Sequence, residues 1–82
     1  MALTEDRKRE IKEIFERQSV PILEKYNLNR PDKTITPLEY LEKVKASKEI
    51  ALIMPPEEFS NSEVVCFLNY RTELINHLIK LG

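Results

Sequence analysis

Between Met1 and Leu81 this 82-residue chain contains no glycine; its single glycine is Gly82. That absence constrains the fold more than any other feature. Tight hairpin turns need positive φ, which residues other than glycine adopt at a cost. A hairpin-rich β fold is therefore disfavoured. The chain also cannot build a glycine-rich loop around a phosphate, so nucleotide binding of the P-loop or dinucleotide-fold kind is excluded. Helices are the architecture that needs no internal glycine, and the sequence is punctuated as helices are.

Residues 4–26 form the first predicted helix. Thr4 caps it, with Glu5 and Asp6 in the first turn where the helix dipole favours negative charge. Ile11, Ile14, Phe15, Ile22 and Tyr26 recur on one face. The other faces alternate in charge, as in Arg9–Glu13, Lys12–Glu16 and Glu13–Arg17. Pro21 removes one helical hydrogen bond, so a kink there, or a break at Ser19–Val20, is expected. Residues 27–36 read as a loop ending in "TPLE". Thr36 caps a second helix, Pro37 opens it and Glu39 closes a capping box. Leu38, Leu41 and Val44 are its predicted inward positions. "SKEIALIM" either continues that helix or starts a short one at Ser47, and Met54-Pro55-Pro56 stops it. "SNSE" at 60–63 is another capping box, and it opens a last helix running to about Leu81, with Gly82 suited to the helix end. The predicted fold is all-α: one helical domain over residues 1–82, a small bundle of three long helices plus a short one, its first helix kinked or broken near Pro21.

The last helix is the informative element. At 100° per residue, Phe67, Leu68, Leu74, Ile75, Leu78, Ile79 and Leu81 span roughly 160°, and Cys66 and Tyr70 widen the arc to about 220°. A surface helix of a bundle needs a stripe only somewhat wider than about 100°. Either this helix is central and gripped from several sides, or part of its arc is an interface. Cys66, Tyr70, Glu73 and His77 form a semi-polar stripe with heptad-like 4-3-4 spacing. Arg71 falls within the apolar arc, where it must snorkel or pair with a carboxylate. A glutamate of the first or second helix is the expected structural partner; a partner's carboxylate or a phosphate is the functional alternative. Cys66, Tyr70, Arg71, Glu73 and His77 are thus the candidate partner-binding residues.

Catalytic chemistry has little to draw on. Cys66 and His77 would be about 16 Å apart along one helix, beyond hydrogen-bond reach. A structural zinc site needs about four ligands, whereas Cys and His together number two. Glu57 and Glu58 after a proline read as a helix start. No enzyme activity, metal or cofactor is expected. With 13 basic and 14 acidic residues, the chain has no overall drive toward nucleic acid. "RKR" at 7–9 is interleaved with acids, and Lys43, Lys45 and Lys48 point in different directions. One cysteine and a charged N-terminus fit a soluble cytoplasmic protein, and the start at Met1 suggests a whole small protein. "IALIM" is too short for a membrane span.

From "TPLEYLEKV" through "EFSNSEVVCFLNY" the order of signals resembles that of the Hha/YmoA family, small helical bacterial proteins that bind a nucleoid-associated partner. The shared items are a capped helix with "EYL" and a final helix opening S-x-x-E with Phe67 following. Most of this is general helix grammar. Residues 1–35 have no counterpart, and Thr72, next to Glu73, stands where that family has an acidic contact residue. The chain is not assigned to the family. The expected function is a non-enzymatic protein-interaction module, an adaptor, inhibitor or regulatory subunit, that binds a protein partner or a second copy of itself through the last helix. The alternative is a nucleic-acid-binding regulator using Arg7, Lys8, Arg9 and Lys12 or the lysines of the second helix.

Overall fold

The computed structural model describes residues 3–28 and 37–80. It contains three packed helices, α1 (Glu5–Lys25), α2 (Pro37–Ala51) and α3 (Asn61–Lys80), and no strand among the described residues. Thr36 as a cap, the side chain of Leu38, the turns of residues 29–36, Leu81 and Gly82 lie outside them.

Local chemistry sets the helix ends. Thr4 Oγ1 accepts the Arg7 N–H at 3.1 Å, satisfying one of the donors that a helix start leaves free. α1 ends in a Schellman turn. Asn27 takes a left-handed φ of 57°, the Asn27 N–H donates to the Glu24 carbonyl, and the Leu28 N–H donates to that of Leu23. Asparagine tolerates this region better than other residues, and so serves where glycine is lacking. Leu28, brought back by the turn, joins the core. The "SNSE" capping box forms in both directions: the Ser60 N–H donates to Glu63 at 2.8 Å and the Glu63 N–H to Ser60 Oγ at 3.4 Å.

Two details of the expected fold are not shown. α1 runs unbroken through Pro21, and a kink there is not shown. Pro21 and Arg17 are both exposed, so the Arg17 carbonyl that loses its partner lies on the solvent side, where water can replace the bond. The short fourth helix is also not shown. "SKEIA" belongs to α2, which closes with two 3₁₀-type bonds, Leu52 N–H to Glu49 and Ile53 N–H to Ile50.

The core is Ile11, Phe15, Leu28, Ala46, Ile50, Ile53, Phe67 and Leu78. Phe67 is its centre. It is fully buried and meets Phe15 and Phe59 edge to face, with ring centroids 5.4 and 6.1 Å away. α1 and α3 run in the same direction: Leu3 and Lys8 lie beside the start of α3, and Lys12 through Leu23 beside Tyr70–Leu74. α2 runs oppositely, since Lys43 Nζ donates to the Ile79 carbonyl and Arg71 Nη1 to the Ile53 carbonyl. Each of these cations thus sits at the C-terminal end of the other's helix, where the dipole favours positive charge.

The register of α2 differs from the expectation. Lys43, Ala46 and Ile50 face inward, while Leu41 and Val44 are 58% and 38% exposed. The helix carries two apolar faces. Leu41 lies opposite Ile50, about 180° away at 100° per residue, and Val44 about 120° away. Only one face can be buried, and Ile50 with Ile53 anchors it. Because Lys43 is level with the end of α3, the first turn of α2 overhangs the bundle, which is 45 Å long although α1 spans only about 31 Å.

Candidate partner-binding surface

The five residues singled out from the sequence do not form one surface. Cys66 and Tyr70 are half-buried and pack against the core. Tyr70 reaches across to α1, where its hydroxyl donates to the Lys8 carbonyl at 3.2 Å. Burial first, and then its contact with the Cys66 thiol, push the Tyr70 hydroxyl above its ordinary pKa. Tyr70 therefore ties α3 to α1, with Cys66 beside it on α3. Arg71 meets no carboxylate among the described residues. It spans 18 positions of sequence to the Ile53 carbonyl at 2.8 Å, so the expected ion pair with a glutamate is replaced by a backbone contact. The arc position of Arg71 faced the end of α2, and that end presents carbonyls left free by the helix. Glu73 and His77 are exposed, with Glu73 on the rim of the shallow groove between α1 and α3.

Three of the four cations in the basic cluster of α1, all but Lys12, are paired. Arg7 bonds Glu63 and Glu10 and lies over the Phe59 ring at 5.3 Å. Lys8 and Arg9 pair with Glu5 and Asp6. The Ser60 backbone and then Arg7 hold the Glu63 carboxyl below its ordinary pKa. At the other end of α1, Tyr26 and Lys25 both bond Glu49, and lower its pKa in that order.

The apolar surface lies elsewhere. A groove of about 410 Å³ runs between α2 and α3 on the side away from that contact of Glu49 with α1, lined by Tyr40, Lys43, Val44, Ser47, Lys48, Ala51, Ile75 and Ile79. Tyr40, Val44 and Ile79 are 55%, 38% and 62% exposed. Tyr40, Val44, Ser47 and Ala51 repeat at 4-3-4 spacing on one wall; Ile75 and Ile79, at i and i+4, form the other. Two lysines border it and no carboxylate lines it. Lys43 is nearly buried, with its ammonium 4.8 Å from the Tyr40 ring centroid. The 4-3-4 spacing is present in the sequence, but it includes Val44, which the sequence places on the inward face. Ile75 and Ile79 were already in the apolar arc of the last helix. Among the described residues no group of three or more His, Cys, Asp or Glu could hold a metal, and no helix is long and apolar enough to cross a membrane.

No family model, curated protein or solved structure matches this chain.

Proposed function

We propose that this chain is a non-enzymatic helical interaction module of the cytoplasm, an adaptor, inhibitor or regulatory subunit, that works by binding a protein partner. The observation that carries this reading is the exposed apolar surface of Tyr40, Leu41 and Val44 on α2, Leu52 just after it and Ile79 at the end of α3, all open to solvent. Scattered apolar residues are ordinary on a protein surface. Apolar walls facing each other across a groove are the usual setting for helix-in-groove recognition. The interface is accordingly assigned to the α2–α3 face, with Glu73 and His77 outside it. Of the cations that the nucleic-acid reading names, Arg7, Lys8, Arg9 and Lys45 are met by Glu63, Glu10, Glu5, Asp6 and Glu42, and Lys43 is nearly buried, which leaves that reading only Lys12 and Lys48.

The test uses a Val44→Glu chain beside the parent. Val44 is outside the core, so the two should unfold at the same urea concentration. Solution mass is measured for each, alone and after affinity capture from native lysate. The parent should recover a defined protein in stoichiometric amount, and the variant should lose it. A parent that stays a bare monomer, with nothing retained at low salt, would refute the assignment.

A further inference from the structure

Two antiparallel helices present a groove on each of their two sides. α1 contacts both α2 and α3, while the side formed by Tyr40, Val44, Ser47 and Ala51 facing Ile75 and Ile79 is open. Its length and texture specify what it can take. From Tyr40 to Ala51 the wall covers about 16 Å, or three helical turns. It is ridged at helical spacing rather than flat, and a ridged groove between helices accepts the ridges of another helix. Ser47 and Ala51 are small and allow close approach at one end. Tyr40, at the other, offers a broad ring. An extended strand would find no open sheet edge here, because the described residues contain no strand.

The charge around the groove narrows the occupant further. Lys48 is exposed on its edge and has no ion pair among the described residues. Lys43 lies at the base of the same wall. Glu49 is drawn to Lys25 and Tyr26 of α1, and Glu42 to Lys45. Lys43 is engaged by the Ile79 carbonyl and the Tyr40 ring, so the charge open on this border is that of Lys48, and no carboxylate is among the lining residues. A helix whose apolar stripe is flanked by lysine or arginine would meet like charge; one flanked by glutamate or aspartate would be complemented.

Resting on the protein-interaction reading above, we propose that the α2–α3 groove seats a three-turn amphipathic helix of a partner protein, with acidic residues flanking its apolar stripe. The occupant completes a four-helix arrangement. Its anchors, at i, i+3 or i+4, and i+7, lie over Val44, between Ile75 and Ile79, and beside Ser47 and Ala51. Its carboxylates face Lys48.

Two synthetic helical peptides test this, with the same leucine and isoleucine stripe and flanks of glutamate in one and lysine in the other. Binding to the full chain is followed by fluorescence anisotropy at low and high salt, and the contact surface by amide and methyl shifts in an isotope-labelled sample. The glutamate peptide should bind roughly fivefold or more tightly than the lysine peptide at low salt, an advantage that shrinks as salt rises. Shifts should centre on Val44, Ile75 and Ile79. Lys48→Glu should reverse the order of the two peptides while lowering the urea midpoint only slightly, since it places an acid in the last turn of α2 where the dipole favours a cation. Equal binding of both peptides, shifts centred elsewhere, or no binding at about millimolar peptide would overturn the proposal. Self-association of the chain that Val44→Glu abolishes would also overturn it, by making a second copy the occupant. If Val44→Glu still captures the cellular partner, this groove is wrong while the interaction reading survives. If the parent captures nothing, the broader reading fails first.

Discussion

Single residues divide here into those that the fold consumes and those that it leaves over. Phe67 belongs to the first group. Fully buried and touching two other rings, it cannot be trimmed without leaving a cavity. Phe67→Ala should cost about 3–5 kcal/mol, a large share of the stability of a small domain. Val65, two positions earlier but 57% exposed, provides the control: Val65→Ala should change stability by no more than about 0.5 kcal/mol. Urea unfolding of the two variants checks both, and similar midpoints would mean that the aromatic cluster is not the centre of the core. Arg71 was the residue hardest to place from sequence. Its position in the apolar arc was readable, and so was its need for a partner. That the partner is the Ile53 carbonyl was not, because any acceptor at the right height satisfies a guanidinium and the sequence shows only side chains.

Elements were more legible at their ends than on their faces. Caps are local chemistry, so Thr4 and the Ser60–Glu63 box could be read directly. Faces are chosen by neighbours. α1 presents one apolar stripe, and Ile11 and Phe15 are buried as expected. α2 is apolar on two sides, and the competition between Leu41 and Ile50 is settled by what they pack against. Pro21 shows the same limit. Its lost hydrogen bond was predictable, but whether the helix yields depends on whether the freed carbonyl can reach water. On this account Pro21→Ala should restore that bond in an intact helix and stabilise the protein by roughly 1–2 kcal/mol, the gain being reduced by the freer unfolded chain. The melting temperature should rise by several degrees. A fall would show that α1 depends on a bend at proline.

At the scale of the whole molecule, two polar clusters tie the helices together from opposite ends: Arg7 with Glu63 joins α1 to α3, and Lys25 and Tyr26 with Glu49 join α1 to α2. Both carboxyls are held below the ordinary value of 4.5. A depressed carboxyl contributes stability that is complete above its unfolded value and disappears as pH falls through its folded one. The urea midpoint should therefore decline progressively below pH 4.5, and Glu63→Gln should flatten that decline. A midpoint just as steep in the variant would remove Glu63 from the linkage. The lack of internal glycine, the caps and the 3.6-residue apolar repeats were sufficient to specify three helices, because each acts within a few residues of itself. Which face of α2 is buried, which acceptor takes Arg71, and which apolar residues remain open depended on the antiparallel offset of α2 against α3. That offset is decided by contacts such as Arg71 with Ile53 and Lys43 with Ile79, 18 and 36 positions apart, and only the packed chain brings them together.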